Sequence, residues 1–554
     1  VLKVIGELMD WRRLFTSCWM VGIIGFFVGS SVIWVPMLSG KSIGSAVFDF
    51  AYAVIGLTVL LRSLVGWLAF AGILLIGGTG YAGFRLRGHA KAQLFLQSTG
   101  FVLGLTVALS IVYFLLDLGF FVGAILTMPF ILGAMMLAAT AGHTAAHPVL
   151  GQSQRAEIGR AEIPSIAGLS ITALLSLLLL LPNLTAIAGL EPTPPLSPTT
   201  GYGSVDAAYD VTHFSQSIVY PENVTGWFDE AADAYDWKVH IYAPKNYDRD
   251  SIGVAILLHG YTGEDATLYE DSMQTLASQG LIGIFVQYVS DVNLSSIPTD
   301  FELQYDEGGS NHPQHVPRYT MALFGVDAAL NFAVTDASIQ ATIGAAQIDM
   351  DHLWIGGHSM GAGTTFYVLS EGLSRGWGIS SLVVDLEQPW IHAVQPEFRG
   401  NMTSLPDHTL IQIVESDNDL AVAECIGRWQ HARLLGRDNS TPLPANQVRF
   451  VALTSDYHGF PRLIATHYLP VTFLRDTFAD RAYYSRLAAE SDYVASMSQS
   501  ETAAAELARA AFMEPAGSAL DMGSWSDGTP VHPIRFIDEP LDDSSIDWSR
   551  CQLT

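Results

Sequence analysis

The sequence predicts an α/β fold, a doubly wound and mostly parallel sheet, preceded by an all-α domain of transmembrane helices. Three observations carry this prediction. The first 190 residues hold apolar runs of spanning length at about 14–38, 64–84, 94–116, 118–142 and 166–190. Beyond them, short apolar stretches alternate with helix-like segments, as in a sheet covered on both faces. Within that second part, Gly357-His358-Ser359-Met360-Gly361 stands between a strand-like stretch, Leu353-Trp354-Ile355-Gly356, and a small-residue run, Ala362-Gly363-Thr364-Thr365, that can open a helix.

Crossing a hydrocarbon core of about 30 Å takes roughly twenty apolar residues, so these runs predict five spans. A shorter stretch at 43–61 contains Asp49 and either lies in the interface or makes a sixth. A signal peptide would be one short apolar stretch near the start, whereas this set reads as a polytopic domain over 1–190. Glycines within the runs, such as Gly22, Gly25 and Gly29, suit close packing between spans. Arg85, Arg87 and Lys91, and further on Arg155 and Arg160, mark the positive connectors expected to face the cytoplasm. The last span then delivers residue 191 to the outside. Five spans place Arg12 and Arg13 in the cytoplasm; six place the N-terminus outside. The expected location is the cell membrane, multi-pass, with an extracytoplasmic C-terminal domain. The membrane part reads as an anchor and a platform for homo-oligomers. His143 and His147, four apart at a span end, lack an evident carboxylate or cysteine beside them, so no metal and no cofactor is expected.

The net charge of −27 is unevenly split: residues 1–190 hold ten basic and six acidic side chains, residues 191–554 seventeen and forty-eight. Lys238 and Lys245 are the only lysines of the second part. Such a surface repels nucleic acid and anionic headgroups, excluding both as partners. It stays soluble in high salt, where screening weakens self-repulsion, and so fits a saline habitat. Closely spaced prolines, Pro192, Pro194, Pro195 and Pro198, predict a stiff linker over 191–204. Residues 205–480 suffice for one substantial core. Residues 481–554 read as an extension, Ala-rich helix over 485–513 and irregular chain thereafter. Cys425 and Cys551 both fall in the exported part and could pair if the tail folds back, and Asn223 and Asn401 stand in glycosylation-type tripeptides.

Strands are predicted at 239–243, 254–258, 282–286, 353–356, 381–385, 409–414 and 447–453, with helices at 272–279, 319–334 and 421–435. Ligands of such sheets bind beyond the carboxyl ends of the strands. Ser359 follows one strand there, on a sharp turn that the flanking glycines permit. The strand at 409–414 leads into Glu415-Ser416-Asp417-Asn418-Asp419, and the strand at 447–453 into Thr454-Ser455-Asp456-Tyr457-His458-Gly459. A serine hydroxyl is a weak nucleophile until an imidazole removes its proton, and a carboxylate fixes the tautomer of that imidazole. The order Ser359, Asp419, His458 supplies nucleophile, acid and base. Asp417 is the alternative acid and His467 the alternative base, the latter inside an apparent helix. Backbone N–H groups of Met360 and Tyr261 are placed to form an oxyanion hole. His259 and His358 adjoin these turns and read as support.

These motifs resemble the α/β-hydrolase superfamily, and within it the branch of dienelactone-hydrolase-like esterases and cutinase-like polyester hydrolases. The resemblance covers about residues 238–475. It rests on His259-Gly260-Tyr261-Thr262-Gly263 as oxyanion loop, Gly357-His358-Ser359-Met360-Gly361 as nucleophile motif, Asp419 in the acid loop and His458 after the last strand. It further implies that Tyr261 and Trp390 flank the substrate. Two features depart from the branch: a long segment at 291–318 and the N-terminal spans. The function expected is serine-dependent hydrolysis of a small-molecule or lipid-like carboxylic ester through an acyl-enzyme. A peptidase of the same fold, a polyester hydrolase and a non-catalytic binding module are the alternatives.

Overall fold

The computed structural model describes a few helical residues between Ile23 and Leu38, then residues 190–538 except 205–207, 222–224, 226–234, 291–314, 391–404, 420, 423–424, 436–442, 460–461 and 473–474. Apart from those few residues of the first run, the expected spans lie outside the described residues. So do His143, His147, Asn223, Asn401, most of the 291–318 segment, and Cys551 with its pairing to Cys425.

Two compact units divide the chain. The larger comprises Pro195–Asp456, Ile464–Ser524 and Gly528–Thr554. It is built on a mixed nine-stranded sheet in the order β1-β2-β4-β3-β5-β6-β7-β8-β9. The strands are β1 (Val211–Ser217), β2 (Lys238–Pro244), β3 (Ser251–Leu258), β4 (Ile282–Val286), β5 (Gln347–His358), β6 (Ser381–Glu387), β7 (Leu410–Ser416), β8 (Val448–Leu453) and β9 (Arg535–Phe536). From β4 through β3 and β5 to β8 all pairings are parallel, and β1, β2 and β9 add antiparallel edges. Strands β4 and β6 are buried along their whole length and β3 in all but its first residue, which is why they read as near-continuous apolar runs. The α/β class expected from the sequence is the class observed. Because β3 lies between β4 and β5, the chain changes direction across the sheet at β3, opening a crevice beyond the ends of β3 and β5.

Helices cover both faces. They are α1 (Glu270–Ser278), α2 (His315–Thr335), α3 (Ala337–Ile343), α4 (Met360–Ser374), α5 (Cys425–Leu434), α6 (Ser485–Ser498) and α7 (Thr502–Met513). Helices α2 and α4 share one face; α1 and α6 share the other, with α6 across β3, β5 and β6. Among the described residues no single helix is long and apolar enough to cross a membrane. Helices α2 and α3 are long and apolar enough only as a pair, are bent by 71° at their junction, and bury Met321, Val326, Ala329 and Ile339 in the core.

Within the larger unit α6 covers the sheet and β9 extends it, pairing antiparallel with β8. From Pro195 onward the proline-rich segment belongs to the same unit. Its carbonyls, which prolines leave intact, accept hydrogen bonds from Thr477 Oγ1 (to Pro195, 2.8 Å) and from Arg481 Nη2 (to Leu196, 2.8 Å).

The period-2 alternation of strands explains what α6 sits on. Leu382, Val384 and Leu386 of β6 join the main core, so Asp385 and Glu387 point to the opposite face. There Arg486 of α6, fully buried, pairs with Glu387 and lies 3.7 Å from Asp385 and 3.9 Å from Glu490. Its Nη1 donates to Gln412 Oε1 at 2.6 Å, and Trp354 Nε1 donates to Glu490 Oε2 at 2.8 Å. Three buried carboxylates thus share one guanidinium. Burial pushes all three upward, Glu490 to about 7, and Asp385 is raised further by Glu490 and Glu387. Folded Glu490 therefore keeps its proton above 4.5, where the unfolded chain releases it. Its contribution to stability is complete below that pH and lost as pH rises through about 7. Urea midpoints of the full chain at pH 5 and pH 8 should show this, and Glu490→Gln should flatten the dependence. An unchanged pH slope in the variant would refute the assignment.

Candidate active site

The crevice beyond β3 and β5 is where the sequence motifs meet. Strand β5 turns into α4 at Ser359, whose φ of +57° is a region a non-glycine residue rarely enters. The turn is pinned on both sides: Ser359 N donates to Glu387 O at 2.8 Å, and Ser359 O accepts from Trp390 N at 2.9 Å. The flanking glycines are needed for close approach. A Cβ on Gly361 would stand 2.0 Å from Leu258 O, and one on Gly357 2.3 Å from the carbonyl carbon of Gly361. The Ser359 turn therefore packs directly onto the end of β3.

From that end the chain enters the loop containing Tyr261. His259 is buried with its ring stacked on Tyr288, centroids 3.8 Å apart. Its Nδ1–H donates to Gly260 O at 2.8 Å, so Nε2 is left to accept from Tyr288 N at 3.2 Å. Tyr288 O–H donates back to His259 O at 2.5 Å. Burial holds His259 below its ordinary value, in keeping with this neutral form. Thr262, at φ +57°, donates its N–H to Ser290 Oγ at 2.9 Å. Gly260 lies so close to Ser359 that a Cβ there would be 3.2 Å from Ser359 Cβ. Tyr261 is 48% exposed, so its ring borders the open side. Met360 is buried and opens α4; an N–H in the first turn of a helix has no intrahelical acceptor. Trp390 is half-buried, and its backbone bond to Ser359 fixes it beside the turn.

The acid loop after β7 separates its two aspartates by what they bind. Asp417 accepts from Ser455 N at 2.9 Å and Ser455 Oγ at 2.6 Å, tying this loop to the one after β8. Asp419, 8% exposed, accepts from Ala421 N and Val422 N at 2.8 Å through Oδ1. Its Oδ2 lies 2.7 Å from Nδ1 of His467, itself buried. The imidazole of His467 stands against that of His358, centroids 4.6 Å apart, next in the chain to Ser359.

His458, the base expected from the sequence, and His467, its alternative, differ in what they touch. His458 belongs to the smaller unit, Val1–Pro194 with Tyr457–Leu463 and Trp525–Asp527. Its Nε2 lies 2.8 Å from Asp527 Oδ2, both groups 40% exposed, and its ring packs against Trp525. His467 lies in a turn, not a helix. Thr466 forms a bridge to Asn418, and Asn418 N donates to Ala465 O at 3.2 Å, so the segment carrying His467 is tied to the acid loop as an extended strand would be. The missed signal is Pro461 and Pro470, which bracket a stretch too short for a stable helix.

No protein-family model matches the chain, and no curated protein does. Among solved structures, a thermostable esterase from Pseudomonas putida is 13% identical over 53% of this chain and 85% of its own, with a TM-score of 0.31. A fungal esterase from Rhizomucor miehei is 13% identical over 46% of this chain and 77% of its own, with a TM-score of 0.27. Likeness at this level does not bear on the site, which stands on its own geometry.

Proposed function

We propose that the larger unit is a serine hydrolase acting on carboxylic esters, with Ser359 as nucleophile, His467 as base and Asp419 as the acid that orients it. The observation that carries this is the buried 2.7 Å contact between Asp419 and His467, whose ring packs on that of His358, the residue before a serine held at positive φ. With Nδ1–H donated to Asp419, Nε2 of a neutral His467 is the basic nitrogen. It takes the Ser359 proton as Oγ bonds to the ester carbonyl carbon. The oxyanion so formed is met by the N–H groups of Met360 and Tyr261. The carbon–alkoxy bond then breaks, the departing alcohol takes the proton from His467, and the acyl group stays on Ser359. Water, deprotonated by His467, attacks that acyl carbon and frees the acid and Ser359. Tyr261 and Trp390 stand beside the turn and fit an acyl chain or ring against their flat faces.

The membrane location is part of the same proposal and rests on the apolar runs of residues 1–190 alone: a multi-pass anchor, able to bring copies together, presenting the hydrolase on the extracytoplasmic side.

Hydrolysis of p-nitrophenyl acetate, butyrate and octanoate by the full chain, with and without 2 M NaCl, tests the activity. Turnover is expected, and its chain-length preference measures the acyl pocket. Cleavage of aminoacyl amides in preference to every ester would make the protein a peptidase, and no turnover of either would leave a binding module.

A further inference from the structure

His358 and Tyr269 take no part in the steps above, yet both are buried in the middle of the site, at 3% and 2% exposure. Tyr269 closes the short helical turn Ala266–Tyr269 that follows the Tyr261 loop. Its hydroxyl lies 3.0 Å from Gly260 N and 2.9 Å from His358 Nδ1. On the far side of the ring, His358 Nε2 lies 2.6 Å from the backbone oxygen of His467.

The chemistry of these groups fixes every proton. A carbonyl oxygen only accepts, so His358 Nε2 carries the hydrogen. Burial and the neighbouring His467 hold His358 well below its ordinary value, so the ring is neutral and Nδ1 is an acceptor. Tyr269 O–H must then donate to Nδ1, which leaves its oxygen to accept the Gly260 N–H. The result is a directional chain: Gly260 N–H to Tyr269, Tyr269 O–H to His358, His358 Nε2–H to His467 C=O. Gly260 precedes Tyr261, His358 precedes Ser359, and the carbonyl is that of His467 itself. The Tyr261 loop, through the Gly260 N–H, the Ser359 turn, through the His358 ring, and the backbone of His467 are therefore joined in one continuous relay.

We propose that Tyr269 and His358 are positioning residues that hold the oxyanion loop, the nucleophile and the base in a common register through this relay. The proposal rests on the ester-hydrolase reading of the site. Displacement of a reacting group by about 1 Å costs on the order of 10²-fold in rate, so loss of the relay acts on kcat.

The experiment compares p-nitrophenyl butyrate hydrolysis by the full chain carrying Tyr269→Phe, His358→Gln or His358→Leu with that of the wild type, each checked for a cooperative melt. Tyr269→Phe keeps the ring and removes only the hydroxyl. The expected result is a kcat lowered by roughly 10- to 100-fold with KM nearly unchanged. Glutamine, which can still donate to the His467 carbonyl, is expected to retain more kcat than leucine. A folded Tyr269→Phe with wild-type kcat overturns the proposal. So does a loss carried by KM alone, or failure of Tyr269→Phe to fold, since the hydroxyl would then serve the cleft or the core. Absence of turnover in the wild type overturns the ester reading and this proposal with it.

Discussion

Replacing His467 with alanine is expected to lower ester turnover by about 10⁴-fold or more, whereas His458→Ala should leave it near the wild-type level. The difference follows from what each imidazole touches. His467 is buried with Nδ1 on Asp419, so its other nitrogen is basic and its orientation fixed. His458 is paired with Asp527 at 40% exposure, where an ion pair is screened and contributes little. A steady-state assay of both variants decides between them. Equal losses, or a loss confined to His458→Ala, would return the base to the residue that strand order alone suggested. Asp419→Asn should behave like a weaker His467→Ala, because the amide can present its NH₂ to Nδ1 and favour the wrong tautomer.

Ser359→Ala is expected to abolish turnover to the same degree, with a fall of about 10⁴- to 10⁶-fold, while the protein stays folded. The two bonds that hold the turn, to Glu387 O and from Trp390 N, are made by the backbone of Ser359 and survive the substitution. Thermal melts of wild type and variant should therefore nearly coincide. A variant that keeps its activity, or loses it only by unfolding, would refute the nucleophile assignment. The two substitutions should also fail to add: His467→Ala in a Ser359→Ala background should cost little further, since the pair acts as one unit.

Much of this was legible in the sequence because local chemistry and tertiary role coincide. Gly357 and Gly361 announce a close approach that only glycine permits, and the structure has that approach, against the end of β3 and within the turn itself. The central strands announce themselves as apolar runs because helices cover both faces. The resemblance favours Asp419 over Asp417, and the structure supplies the physical difference: Asp417 spends both oxygens on Ser455. His467 stands only as the alternative base in the sequence because its segment looks helical. Its segment owes its shape to backbone pairing with Asn418, a contact between positions far apart in the chain, and not to any local propensity. Helix α6 is legible in the sequence as Ala-rich helix, but its place on the sheet is not. Arg486 and Glu490 look like surface charges until β6 supplies Asp385 and Glu387 opposite them. Strand β1, with its alternation of half-exposed residues at the sheet edge, likewise takes its identity from its partner β2.

The most direct measurement exposes the full chain to a fluorophosphonate ester, which traps a serine only when a base activates it, and locates the adduct by peptide mass spectrometry in wild type, His467→Ala and His458→Ala. An adduct on Ser359 that persists in His458→Ala and is lost in His467→Ala is the predicted result. An adduct on another residue, or labelling of Ser359 that survives loss of His467 and disappears with His458, would contradict it.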